Sequence, residues 1–283
     1  MKINVAKSAG FCFGVKRAVN IAMETAGSGK KIYMLGDIVH NEDVVREIEG
    51  KGIQKIKKLG TGRGKRILLI RAHGESIKII KKAGMLGYEI VNATCPMVQE
   101  IHTIARDMEK KGYAVIIIGD ADHDEVRGIK GQLKTKPIVI DPYGRIPITT
   151  LSRVKKACVV VQSTQNRDKV FTILDAIKQQ VKDLRFFNTI CRPTRAKQEE
   201  IKTMPLKNDI MIIIGSKTSA NTRRLFEISK KLNKKSYWIQ SKTEIKPEYF
   251  RKAKNAGITA GASTPEKTTR EIIKHIKEIT RGK

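Results

Sequence analysis

At 283 residues, with 40% hydrophobic but only 5% aromatic side chains, the chain has the composition of a globular protein and not of a disordered one. It is long enough for one large aliphatic core or for two to three small domains. Fifty-seven basic against 28 acidic residues leave a formal charge of +29, which implies either a solvated lysine-rich surface or a field that attracts nucleic acid or a phosphate-bearing substrate. The excess lies in scattered pairs such as Lys57-Lys58 and Lys234-Lys235 with few aromatics between them, so no stacking platform for single strands is evident.

The predicted elements alternate along the chain. A strand over 2–5 precedes a helix over 14–25. A strand over 31–35 precedes a helix over 44–51. Strands over 66–70 and 89–91 lead to a helix over 97–111, and strands over 114–118, 137–140 and 158–161 lead to helices over 169–180 and 194–203. Strand 210–214, helix 221–232, strands 236–239 and 256–260, and helix 268–280 complete the chain. The strands are short, continuous and β-branched, as in buried parallel sheets. Alternation of this kind predicts an α/β fold with mostly parallel sheets. The apolar runs are too short to span a bilayer, and residues 1–6 contain no long apolar stretch. A cytoplasmic, reducing location is therefore expected, in which thiols are available as metal ligands.

Cys12, Cys95 and Cys191 divide the chain nearly evenly. This suggests three similar units over 13–95, 96–187 and 188–283, the last completed by 1–12. A local echo supports the division: Asn92-Ala93-Thr94-Cys95-Pro96 resembles Asn188-Thr189-Ile190-Cys191-Arg192-Pro193.

The polar motifs follow the apolar runs, where open α/β sheets bind ligands. They are His40-Asn41, His73-Gly74, His123-Asp124-Glu125, Gln162-Ser163-Thr164-Gln165, residues 215–221 and residues 261–265. Cys12, Cys95 and Cys191 each lie between a predicted strand and a predicted helix. A helix N-terminus lowers a thiol's pKa, and thiolates bind soft metals. Cys158 lies inside a predicted strand and is read as a small core residue. Three thiolates suit a four-iron cluster with one open iron, although the spacing alone favours three unconnected structural cysteines. His40, His73 and His123, with nearby Ser, Thr and Asn, suit an anion pocket, whereas a single strand-end histidine more often serves a local hydrogen bond. His102 and His275 are read as surface or boundary residues of helices. Glu125 is either a proton source with a raised pKa or a carboxylate at a helix start.

Taken together, Gly10-Phe11-Cys12-Phe13-Gly14-Val15, His40-Asn41, Arg71-Ala72-His73-Gly74, Ala93-Thr94-Cys95-Pro96, His123 with Glu125, Thr189-Ile190-Cys191, Gly215-Ser216-Lys217 and residues 259–265 resemble the 4-hydroxy-3-methylbut-2-enyl diphosphate reductases. The motifs occur in order over about residues 9–266. The resemblance implies an oxidoreductase acting on a CH2–OH group, folded as a trefoil of three α/β units around a central [4Fe–4S] cluster. It implies that Cys12, Cys95 and Cys191 ligate three irons, with one iron lacking a protein ligand. His40, His73, His123, Ser219, Asn221 and Ser263 would bind the diphosphate, Ser163 the substrate hydroxyl, and Glu125 would deliver protons. Ferredoxin or flavodoxin would supply single electrons, and the products would be isopentenyl and dimethylallyl diphosphates.

Four positions depart from the family pattern. Ala220 replaces a usual serine, so one hydrogen bond to the diphosphate is expected to be lost, unless Thr222 or a water replaces it. Ser163 replaces a usual threonine. Asp122 and Asp124 flank His123 and would either repel the diphosphate or hold the histidine cationic. Two other readings follow: the same fold and cluster with another substrate or a sensor role, or a basic nucleic-acid-binding protein. No nucleic-acid-binding motif is present to support the latter.

Overall fold

The computed structural model describes residues 1–61 and 65–281. Positions 62–64, in the first predicted unit, and 282–283, at the end of the third, lie outside the described residues. In chain order the elements are β1 (Lys2–Val5), α1 (Phe13–Ala26), β2 (Lys31–Leu35), α2 (Glu42–Glu49), β3 (Ile53–Ile56), β4 (Arg66–Ile70), α3 (Ile77–Met85), β5 (Tyr88–Asn92), α4 (Pro96–Lys110), β6 (Ala114–Ile118), α5 (Asp124–Lys130), β7 (Ile138–Ile140), α6 (Ile148–Leu151), β8 (Lys156–Val161), α7 (Arg167–Lys178), β9 (Asp183–Phe186), α8 (Arg192–Thr203), β10 (Ile210–Ile214), α9 (Ala220–Leu232), β11 (Ser236–Ile239), β12 (Asn255–Ala260) and α10 (Glu266–Ile279). No helix among them is long and apolar enough to cross a membrane.

The strands form three four-stranded parallel sheets, β3-β2-β4-β5, β7-β6-β8-β9 and β11-β10-β12-β1. The order is the same each time: second strand, first, third, fourth. In the last sheet the fourth place is taken by β1, whose Val5 lies opposite Ile258 of β12.

Two compact units are distinguished by their internal contacts. One comprises Met1–Lys16, His40–Val44 and Arg192–Lys283 and holds the β11-β10-β12-β1 sheet. The other comprises Arg17–Val39 and Val45–Cys191 and holds the other two sheets.

The central strands are mostly apolar because both faces are covered. In β6 and β8, Ile116, Ile118, Val159 and Val161 face one core with Val170, Ile173, Leu174 and Ile177 of α7. The alternate residues Val115, Ile117, Cys158 and Val160 face another with Ile101 and Ala105 of α4 and Val126 and Ile129 of α5. Likewise Ile210, Ile212 and Ile214 of β10 pack with Ile272 and Ile276 of α10, while Met211 and Ile213 pack with Ile201 of α8 and Leu225 of α9. This period of two is the pleat of the strand, and each aliphatic side chain so buried contributes roughly 1.5–3 kcal/mol. The sheets are fixed from both sides, so the loops at their carboxyl ends stand on a rigid base.

Candidate active site

Every polar motif singled out in the sequence lies at the carboxyl end of a strand: His40 after β2, His73 after β4, His123 after β6, Ser163 after β8, Ser219 after β10 and Ser263 after β12. The three strand-to-helix cysteines share one local construction. Cys95 N–H donates to Ala72 O at 3.0 Å, Cys191 N–H to Ser163 O at 3.0 Å, and Cys12 N–H to Ala262 O at 3.1 Å. In each case the acceptor lies two residues past the end of the central strand that pairs with the strand leading to the cysteine. A helix starts at the next residue. Cys95 caps α4 without a side-chain hydrogen bond to the helix, and Pro96 occupies the first turn, where its missing N–H costs nothing.

Cys12, Cys95 and Cys191 are partly exposed and in no disulfide, whereas Cys158 is buried. Burial pushes the Cys158 thiol up to about 11, so it is the one cysteine unsuited to act as a thiolate ligand. The other three, at helix N-termini and open to approach, have the chemistry of soft-metal ligands and fit an iron–sulfur cluster.

In the larger unit, Glu125 is the central group. It is 2% exposed, and its carboxylate accepts from Ser163 N–H at 2.5 Å and from Ser163 Oγ at 2.7 Å. Burial pushes its pKa up to about 7; the two Ser163 hydrogen bonds oppose the shift, and Asp120 adds to it. Glu125 also lies in the first turn of α5. His123 caps that helix, its Nδ1 accepting from Glu125 N–H at 3.1 Å. Acceptance at Nδ1 assigns the ring proton to Nε2. The rings of His73 and His123 meet edge to face, 5.6 Å between centroids.

The acids beside His123 are accounted for. Asp124 Oδ2 accepts from Arg71 Nη1 at 2.8 Å, and the Asp122 side chain is fully exposed. The structure corrects the reading of His102, which is 6% exposed. Burial first, then Arg106, lowers its pKa to about 4. Its neutral ring lies beneath the His73-Gly74 turn: a Cβ on Gly74 would come within 2.5 Å of His102 Cε1. Gly74 also has φ +78°, a second reason for glycine there.

In the smaller unit, Ser263 Oγ donates to His40 O at 2.9 Å. Ser219 caps α9, its Oγ accepting from Thr222 N–H at 3.3 Å, which leaves the hydroxyl proton for an acceptor at the positive helix end. Asn221 is 4% exposed, and its Nδ2 has no hydrogen-bond partner among the described residues. A buried donor of this kind is costly unless a ligand satisfies it. Ala220 is the first residue of α9, one position before the predicted start of that helix. Thr222, the other candidate for that hydrogen bond, is also fully buried. Its Oγ1 is buried against Gly215 and Gly261, where an added Cβ would come within 2.6 and 2.1 Å of it.

The supporting contacts of two side chains were not visible in the sequence. Glu42 accepts from Ser216 Oγ at 2.8 Å and Gln240 Nε2 at 2.9 Å, and so holds the loop that leads to Ser219. Arg71 reaches Asp124 from the β4 loop. Both are distant in sequence from their partners, so no spacing rule reveals them.

The model of the LytB protein family matches residues 3–277. The 4-hydroxy-3-methylbut-2-enyl diphosphate reductase of Caldanaerobacter subterraneus subsp. tengcongensis is 39% identical over 286 residues, spanning 99% of this chain and 98% of that protein. That of Geotalea uraniireducens is 37% identical over 286 residues, spanning 100% and 99%. Among solved structures, the E-1-hydroxy-2-methyl-but-2-enyl-4-diphosphate reductase from Plasmodium falciparum superposes with a TM-score of 0.89 at 25% identity, covering 98% of this chain and 88% of that one. An (E)-4-hydroxy-3-methyl-but-2-enyl diphosphate reductase, the terminal enzyme of the non-mevalonate pathway, superposes with a TM-score of 0.72 at 36% identity, covering 98% and 100%. With the family pattern matched across all three sheets and relatives above 30% identity over the full length, the chain belongs to the LytB protein family.

Proposed function

We propose that this chain removes the hydroxyl group of (E)-4-hydroxy-3-methylbut-2-enyl diphosphate, giving isopentenyl and dimethylallyl diphosphates. It is an oxidoreductase of the non-mevalonate isoprenoid pathway, like relatives that match it from end to end. Two electrons and two protons enter, the C–O bond breaks, and water leaves. The observation that carries the reading is the thrice-repeated strand-to-helix cysteine, its backbone fixed and its thiol partly exposed.

Cys12, Cys95 and Cys191 hold a [4Fe–4S] cluster, with one iron free of protein ligands. Bound there, the cluster supplies single electrons and a Lewis-acidic iron. Hydrogen-bond donors on His40, His73, His123, Ser219, Asn221 and Ser263 hold the diphosphate, and this anchoring sets the carbon chain in place. The unsatisfied amide of Asn221 and the capped N-terminus of α9 support that role. Glu125 holds a proton near neutral pH and gives it to the departing oxygen, while Ser163 orients its carboxyl and meets the substrate hydroxyl. The net charge of +29 draws in the anionic substrate. A ferredoxin or flavodoxin is the electron donor, and the location is cytoplasmic. The three repeated sheets support three α/β units over 13–95, 96–187 and 188–283 with 1–12.

The decisive assay is anaerobic, with cluster-loaded protein, the allylic diphosphate and a reduced one-electron donor. Formation of the two five-carbon diphosphates is expected; a loaded protein that leaves the substrate untouched would refute the proposal.

A further inference from the structure

Lys197 is one of the largest fully buried side chains of the protein, 2% exposed. It lies on α8, on the buried stripe with Thr194 and Ile201. Its Nζ donates to the carbonyls of Gly10 and Ala260, both at 3.0 Å, and to that of Ser8. Three carbonyl acceptors require three N–H groups, so the amine is an ammonium. One turn further on, Glu200 takes the opposite polarity of the same loop. Its carboxylate accepts from Lys7 N–H at 2.9 Å, from Ser8 N–H at 2.9 Å and from the Ser8 hydroxyl.

The loop gripped in this way is the segment between β1 and α1 that carries Cys12. It contains no regular structure, and Gly10 has φ +92°; the N–H groups of Ala6, Gly10 and Cys12 bond to carbonyls of Ile258, Ala260 and Ala262, and side chains meet the Ser8 and Gly10 carbonyls and the Lys7 and Ser8 N–H groups. We propose that Lys197 and Glu200 are positioning residues for Cys12. The ammonium gathers the loop carbonyls and the end of β12 onto one point, the carboxylate gathers the loop N–H groups, and together they fix where the Cys12 thiolate is presented. Neither residue belongs to the substrate or cluster ligands proposed above. The inference rests on the reading of Cys12 as a cluster ligand, although the loop geometry itself does not depend on it.

The test uses the full-length chain and two measurements. The first is the alkylation rate of each cysteine in the iron-free, reduced protein, resolved by peptide mass spectrometry. The second is iron retention and the electron paramagnetic resonance spectrum after anaerobic loading. Lys197→Met and Glu200→Ala should each speed alkylation of Cys12 by about tenfold, the effect of weakening the closed loop by roughly 1.4 kcal/mol, with Cys95 and Cys191 unchanged. Both should retain less iron and show an altered spectrum, and Lys197→Arg should restore much of each property. Glu200 is only half-buried, so Glu200→Ala keeps the test decisive if Lys197→Met does not fold. An unchanged Cys12 rate, or equal acceleration at all three cysteines, would overturn the inference. Failure of the unaltered chain to take up iron would instead refute the cluster reading, and the alkylation result would still decide the loop.

Discussion

Glu125 accepts both hydrogen bonds that Ser163 can donate, N–H to Oε1 at 2.5 Å and Oγ–H to Oε2 at 2.7 Å. Even so, burial keeps its pKa at about 7. A carboxyl with a raised folded-state pKa binds its proton more tightly in the folded chain. Its contribution to stability is therefore complete below the ordinary value of 4.5 and is lost as pH rises through about 7. The full span is on the order of 3 kcal/mol. Denaturation of Glu125→Gln between pH 4.5 and 7 should show a flatter stability profile than the unaltered chain. The same variant should keep its iron and lose roughly 100-fold or more in turnover.

Asn221 offers a test that separates binding from folding. Its Nδ2 is buried without a partner in the ligand-free chain, so Asn221→Ala removes an unsatisfied donor and should leave thermal stability nearly unchanged. Against the diphosphate it removes a hydrogen bond to a charged group, worth roughly 1.5–3 kcal/mol. KM should rise by about tenfold to a hundredfold. A large fall in Tm with little change in KM would contradict the assignment.

The two acids beside His123 should behave differently. Asp122 is solvent-facing, so Asp122→Ala should leave stability within about 0.5 kcal/mol and KM within about twofold. Asp124 is half-buried against Arg71, and Asp124→Ala leaves that guanidinium with Glu75 alone, 3.6 Å away. A loss of about 1–2 kcal/mol is expected, read as a Tm lower by a few degrees.

Gly74 is constrained by its φ of +78° and by the His102 ring, 2.5 Å from where a Cβ would sit. Gly74→Ala should cost roughly 1–3 kcal/mol. Part of that cost is the clash, so Gly74→Ala combined with His102→Ala should destabilise by less than the two single changes added together.

The architecture was largely legible because it rests on periodicity. Runs such as 114–118 and 210–214 are apolar at every position, as double-sided burial demands. Strands β3 and β9 escaped notice because Ile53-Gln54-Lys55-Ile56 and Asp183-Leu184-Arg185-Phe186 are half-exposed edges with charged residues. Helices α3 and α5 were missed as well: α5 is only 7 residues long, and α3 carries a lysine-rich exposed face. The site residues stood out because they follow strands, a local relationship in the sequence. Their supports did not. Glu42 with Ser216, Arg71 with Asp124, and Lys197 with Gly10 are pairings between distant segments, and only folding brings such charges to their partners. Burial of His102 was also hidden, since an imidazole on a helix face reads as polar until Gly74 is seen packed over its ring.

The central claim is that Cys12, Cys95 and Cys191, and not Cys158, hold one cluster. It is tested most directly by iron content and Mössbauer spectra after anaerobic loading of the unaltered chain, the three serine variants Cys12→Ser, Cys95→Ser and Cys191→Ser, and Cys158→Ala. The account predicts about four irons per chain, with one iron distinct from the rest, in the unaltered chain and in Cys158→Ala. Each serine variant should lose or degrade the cluster. Full iron content with an unchanged spectrum in any of the three, or loss of the cluster in a folded Cys158→Ala, would contradict it.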